Sequence, residues 1–350
     1  DLDYSELVKF SIYLTLMFYI AGFILFYIVV NKIFLSKELE KLQFMDSLTK
    51  LYNKVKFTQT LENQIKKKEN FYVIVTNIED FKRINQLSGY DAGDLLLKNY
   101  ALSLKLKKMI KNPARISGDQ FIFFIEEKDL GKKTIEETLN NMVSEIYAID
   151  EDTYKIKQNI GVSKYPNNSL DAEELIKFAE IAMHSAKEQK KSIELYQEII
   201  LEKLNKNNMI KKELLNAIEK EEIYLVYQPK VNLNNNEIYA EVLVRWKNNQ
   251  LGFVAPDIFI EIAEKTGEIY KLGKWIFEES IKEIAKYDKE NQKIYLSINL
   301  SPKQLINKNI FKDFTNIIKK YNVDSKQVTL EITESVMLDK EDGFDLINKF

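Results

Sequence analysis

The chain has 350 residues, room for two domains with a core in each, and a composition of 45% hydrophobic and 30% charged residues is that of globular protein rather than a disordered one. A formal net charge of −2 with both signs mixed throughout leaves no basic stripe and argues against a nucleic-acid polymer as partner. Cys is absent and His184 is the single histidine, which excludes disulfides and thiolate metal sites, argues against zinc or a histidine-based triad, and leaves oxygen ligands suited to magnesium, manganese or calcium.

The sequence opens on Asp1 rather than Met, which points to a piece of something longer or processed. Residues 10–30, FSIYLTLMFYIAGFILFYIVV, carry no charge. As a helix they measure about 31 Å, against a hydrocarbon core of about 30 Å. A buried core helix is the alternative, but apolarity all round fits lipid better. The acidic DLDYSEL ahead of the span and the lack of a small-residue cleavage site argue against a signal peptide. Lys32, Lys37 and Lys41 follow the span, while Asp1, Asp3 and Glu6 precede it, which places the C-terminal side in the cytoplasm. The expected division is an extracytoplasmic end at 1–9, one transmembrane helix at 10–31 in the inner (cytoplasmic) membrane, and a linker helix at 32–45. That linker could pair as a coiled coil in a homodimer.

A first globular region is expected over 46–196. Its strands read FYVIVTNI (71–78), a hairpin at 114–125 with the tip SGDQ, and YKIKQNIGV (154–162). Helical spacing covers 54–67, 92–109, 133–147 and 171–189, so the fold class is α/β, a ferredoxin-like sandwich. A charged helical pattern over 194–220 joins the regions, with the connector proper at 197–206. The second region, 207–350, opens with the strands IYLVYQPKV and EIYAEVLVRW, joined by the turn NLNNN (232–236). Helices at 257–265 and 269–286, a strand at 293–300, a helix at 308–320, a strand at 327–333 and a helix to 350 follow. Such alternation predicts a parallel barrel or wound sheet, whose chemistry gathers at the C-terminal strand ends, where Glu241, Asn299 and Glu331 stand.

DSLTKLYN (46–53), NIEDFKRINQLSGYDAGD (77–94), RISGDQF (115–121), NIGVSKYP (159–166) and AEIAMHSAKEQKK (179–191) resemble, in order, the motifs of GGDEF diguanylate cyclase domains. The resemblance implies synthesis of cyclic di-GMP from GTP, with an acid ending the first strand and the first hairpin acid binding metal. Here the first-strand position is Asn77, the first hairpin acid is Asp119, and Gln120 replaces the second, which supports the hydroxyl chemistry. A base without its carboxylate loses orders of magnitude in rate, so the site is degenerate. Asn85 and Asp94 match positions that read guanine, and Lys82, Lys187 and Lys191 match positions near the phosphates. Taken alone the lysines fit a solvated helix face better, and Asn85 and Asp94 also fit a turn residue and a helix cap. The family's Arg-x-x-Asp inhibition site falls on KMIK (108–111) and is absent. His184, where the family has Tyr, reads as a surface residue.

YQPKV (227–231), AEVLVRW (240–246), PDIFIEIAEKTG (256–267), INLSPKQL (298–305) and LEITES (330–335) resemble the EAL phosphodiesterase domain, with EVL for EAL. That resemblance implies the first half of a TIM-type (β/α) barrel that hydrolyses cyclic di-GMP to linear pGpG with two divalent metals, Mg²⁺ or Mn²⁺. Glu241, Asn299 and Glu331 match metal ligands, Glu241 among the catalytic set, and Gln228, Leu243 and Arg245 match substrate-binding positions. Asn299 also fits a cap for SPKQL, although Ser301 is the better candidate, and Arg245 fits an ordinary ion pair. The family's paired aspartates, lysine, later glutamate and final glutamine would follow Phe350, which implies an EAL domain truncated here and inactive as this chain alone. The expected whole is a membrane-anchored phosphodiesterase whose degenerate GGDEF domain binds GTP as a regulatory ligand. A non-catalytic cyclic di-GMP or GTP receptor and a surviving cyclase are the rival readings.

Overall fold

The computed structural model describes residues 4–149, 152–231, 238–307 and 309–332. The helix α1, Tyr4–Phe44, runs without a break through the uncharged stretch and the linker. Within it Val8–Ser36 has a mean hydropathy of 2.3 and is not buried by the other described residues: Phe10, Phe18, Tyr19 and Phe23 are each about two-thirds exposed or more. An apolar surface of that size in water is unfavourable, which makes the helix a candidate membrane span. The chain divides into two units, with the boundary between Leu201 and Glu202.

In the first unit β1 (Tyr52–Asn53), α2 (Lys54–Ile65), β2 (Phe71–Ile78), α3 (Phe81–Leu106), β3 (Lys111–Ser117) and β4 (Gln120–Glu126) follow α1. Then come α4 (Ile135–Asn140), β5 (Ser144–Ile149), β6 (Asp152–Tyr165), α5 (Ala172–Glu188) and β7 (Ile193–Leu195). The sheet order is β1-β3-β4-β2-β6-β5, with β7 beside β6. Every residue of β2 is buried, because the sheet is covered on both faces. Ile74, Ile78, Phe121 and Phe123 pack against α3, whereas Val73, Val75, Ile122 and Phe124 pack against α2 and α5. The period of two along β2 and β4 sorts these side chains into the two cores. Tyr100 of α3 joins the layers by polar contact, its hydroxyl 3.0 Å from Thr76 Oγ1 and donating to Gln158 Oε1 at 2.6 Å.

Several elements differ from the sequence expectation. The helix expected over 133–147 stops at Asn140, after a capping box between Thr134 and Glu137, and Ser144–Ile149 is instead a strand antiparallel to β6. The segment carries both periods, and pairing decides: as a strand it turns Tyr147 into the core beside Tyr100 while Ser144 and Ile146 face out. The expected helix at 92–109 begins earlier, at Phe81, and is kinked at Gly89, whose φ of 85° is non-helical. The helical connector is α6, Glu198–Leu214, while Glu194 belongs to β7.

The second unit has β8 (Ile223–Lys230), β9 (Ile238–Asn248), β10 (Gly252–Val254), α7 (Pro256–Thr266), α8 (Ile269–Lys289), β11 (Ile294–Leu300), α9 (Pro302–Leu305), α10 (Ile310–Tyr321) and β12 (Val328–Ile332). Strands β8 and β9 are antiparallel, and β9, β11 and β12 run parallel in that order. Along β9 the residues Ala240, Val242, Val244 and Trp246 are buried in cores with α7, α8 and α10. The alternate residues Glu241, Leu243 and Arg245 occupy the other, half-exposed face. The NLNNN turn and the expected helix to 350 lie outside the described residues.

Candidate functional sites

In the second unit strand register gathers the expected residues. Glu241 of β9 stands opposite Gln228 of β8 and Ser297 of β11, and Asn299, two residues on from Ser297, stands opposite Glu331 of β12. Asn299 Nδ2 donates to Glu241 Oε1 at 2.9 Å. An Asn amide turned over presents its oxygen instead, so this contact is compatible with ligation. Sequence reasoning passed over a fourth member. Lys230 Nζ lies 2.7 Å from Glu331 Oε1 and 3.4 Å from Glu241 Oε2, spanning the two carboxylates. Its hydrogen bond holds the Glu331 carboxyl below the usual carboxylate range, and Glu331 in turn raises the Lys230 ammonium. The signal was present, since Lys230 is two residues from Gln228 and shares its strand face.

Leu243, Arg245 and Asn299 line a cavity of about 250 Å³ with Ile260, Glu264 and Gln304. The Arg245 guanidinium donates to the Val244 carbonyl at 2.9 Å, and Ser301 Oγ donates to Glu264 Oε1 at 2.6 Å. Ser301 is the N-cap of α9, closed by a capping box with Gln304, so Asn299 does not serve as that cap. Among the described residues no three acidic, His or Cys side chains converge on one point. The cluster is two carboxylates and an amide, hard oxygen donors on adjacent strands, with Asn299 and Glu331 near the C-terminal ends of β11 and β12 and Glu241 within β9 rather than at its end. They already embrace a cation in the Lys230 ammonium, and the set fits a divalent metal.

In the first unit the hairpin tip lies beside the end of β2. Gln120 pairs with Asn77, which pairs on its other side with Asn159, and the Ile78 N–H donates to the Asp119 carbonyl at 3.2 Å. Gly118 holds the tip with φ +50°, a conformation side chains resist. Arg115 braces it, donating to the Gly118 carbonyl at 2.7 Å and to Asp46 Oδ1 at 3.1 Å. Burial pushes the Asp46 carboxyl up, but hydrogen bonds from Thr49 and Arg115 outweigh it and hold the group below its ordinary value. Lys187 Nζ reaches Asn77 Oδ1 at 3.4 Å, whereas Lys191 is paired with Glu194 at 2.8 Å. Lys82, Asp94 and His184 are exposed. Among the described residues Asn85 Oδ1 has no hydrogen-bond partner; it is buried against Gly93, where an added Cβ would stand 1.9 Å from it. Asn85 and Lys187 therefore have different neighbours, with the first turned onto its own helix and the second onto β2.

Residues 43–192 match the family described as diguanylate cyclase, GGDEF domain, and residues 211–349 match the EAL domain. The chain carries a GGDEF domain and an EAL domain in tandem. The bifunctional diguanylate cyclase/cyclic di-GMP phosphodiesterase MucR of Pseudomonas aeruginosa is 29% identical over 88% of this chain and 46% of MucR. The cyclic di-GMP phosphodiesterase PdeR of Escherichia coli is 25% identical over 87% of this chain and 47% of PdeR. The chain thus spans less than half the length of these relatives. Among solved structures, the S helix-GGDEF-EAL portion of Vibrio cholerae LapD, bound to c-di-GMP, has a TM-score of 0.51 at 16% identity. It covers 90% of this chain and 75% of the LapD chain, a likeness of fold alone. The GGDEF match falls within the first unit and the EAL match within the second, which makes them the GGDEF unit and the EAL unit.

Proposed function

We propose that the gene product containing this chain is a membrane-anchored cyclic di-GMP phosphodiesterase whose GGDEF unit is catalytically degenerate and binds GTP as a regulatory ligand. The observation that carries the first part is the register that sets Glu241, Asn299 and Glu331 on three adjacent parallel strands, with Gln228, Leu243 and Arg245 on the same side of the sheet. Glu241, Asn299 and Glu331 would hold Mg²⁺ or Mn²⁺, which supplies an activated water and charge stabilisation for displacement at phosphorus. Arg245 offers a guanidinium suited to a phosphodiester oxygen once it leaves the Val244 carbonyl. Leu243 supplies an apolar wall, and Gln228 an amide opposite Glu241 that can orient substrate or water.

In the GGDEF unit neither Asn77 nor Gln120 can accept a proton at neutral pH, and Asp119 is the one carboxylate left of the three. What supports nucleotide binding is the set Asn85, Asp94, Lys82, Lys187 and Lys191, all at the positions named by the resemblance. GTP influences the EAL unit only if the two states of that unit bind it differently, typically by about 1–3 kcal/mol.

The test is hydrolysis of cyclic di-GMP by the full-length gene product with Mg²⁺ or Mn²⁺. Glu241→Gln is expected to lower turnover by more than about 100-fold through loss of a ligand charge. Unchanged turnover in that variant would refute the site. Cyclic di-GMP binding without turnover in either metal would turn the reading to a receptor.

A further inference from the structure

Strand β8 ends on the lysine that joins the two carboxylates of the EAL site. Lys230 is hydrogen-bonded to a residue 101 positions away, and both of its ion-pair partners are acids assigned above as metal ligands. The pairing follows from the fold. The β8–β9 register sets Lys230 against Tyr239, two residues before Glu241, on the side of the sheet that carries Gln228 and Glu241. From there its four-carbon stem reaches Glu331 on β12. Two carboxylates held this close repel each other, and a single ammonium offsets the repulsion.

We propose that Lys230 is a built-in counter-ion of the EAL site, which a divalent cation must displace, so that this residue sets how much metal the domain needs before it is loaded. The proposal rests on the assignment of Glu241 and Glu331 as ligands. The cation competes for the carboxylate oxygens that the ammonium holds, and a charge of +1 beside one of +2 is repelled. Lysine suits such a role because its ammonium is a compact charge on a flexible stem. The Lys230 side chain is 41% exposed, so water can take it up as it leaves. Pairs with this exposure are weak, and the competition therefore amounts to a modest factor in affinity.

The experiment is Mn²⁺ titration of the full-length gene product, following the free-ion electron paramagnetic resonance signal, which requires no substrate. Lys230→Met is expected to tighten Mn²⁺ binding about three- to tenfold. Lys230→Arg, which keeps the charge, is expected to stay within about twofold of wild type. Lys230→Gln gives a second neutral variant should Met perturb the strand end. Unchanged or weaker binding in the neutral variants overturns the proposal, and so does equal tightening by Met and Arg, which would make side-chain bulk the cause. Glu241→Gln separates the two levels. If Mn²⁺ binding survives that change, the ligand assignment fails and the proposal with it. If binding is lost there but the neutral Lys230 variants do not tighten it, only the counter-ion role fails.

Discussion

Replacing Gly273 by Ala probes how the turn that follows Asn299 is held. Gly273 lies within α8, and a Cβ added to it would stand 1.7 Å from Gln304 Nε2 and 2.6 Å from Gln304 Cδ. The end of a glutamine can usually swing away, but Gln304 is 2% exposed and its Oε1 accepts from the Ser301 N–H at 3.0 Å. Moving it therefore breaks the capping box of α9. Loss of such a cap costs about 1 kcal/mol, and forcing an extra carbon into a packed site about 1–3 kcal/mol. The helix propensity gained by exchanging Gly for Ala returns about 1 kcal/mol. The expected result is a net loss of about 1–3 kcal/mol. In a Gln304→Ala background the collision is gone, and the same change should stabilise by about the propensity term, a coupling of about 2–4 kcal/mol. The chain has two tryptophans, Trp246 and Trp275, both in the EAL unit, so intrinsic fluorescence during urea unfolding follows this unit. An equal effect of Gly273→Ala in both backgrounds would refute the reasoning.

Other outcomes follow from the same geometry. The protein should sediment with membranes and be released by detergent, because the apolar side chains of Val8–Ser36 stand exposed; an intact, monodisperse product without detergent would contradict this. Wild type should make no cyclic di-GMP from GTP, Gln120→Glu alone should not change that, and Asn77→Asp with Gln120→Glu should restore a measurable rate; product from the unmutated protein would remove the degeneracy argument. The Asp46 carboxyl sits below its unfolded value of about 3.9, so it contributes stability that is present above that pH and is lost as pH falls through the lower folded value. Asp46→Asn should flatten this acid limb of GGDEF-unit stability, read by circular dichroism melting below about pH 4, and an unchanged limb would show that the Arg115 brace is not coupled to folding.

The sequence by itself determined the elements whose pattern is local and unambiguous. FYVIVTNI is apolar at both parities and forms a strand buried on both faces, and the uncharged run after Lys9 forms one helix whatever surrounds it. The tandem motifs were legible for the same reason, as short segments whose order along the chain carries the information. What only the tertiary structure decided were matters of pairing. Residues 144–149 carry both helical and strand spacing, and hydrogen bonding to β6 settled them as strand, because that arrangement buries Tyr147. The contact of Lys230 with Glu241 and Glu331 depends on three strand registers at once, and no spacing along the chain records a register between strands. Nor does the chain record that Gly273 and Gln304 touch, since the approach of α8 to α9 is set by packing of both on the sheet rather than by either segment alone.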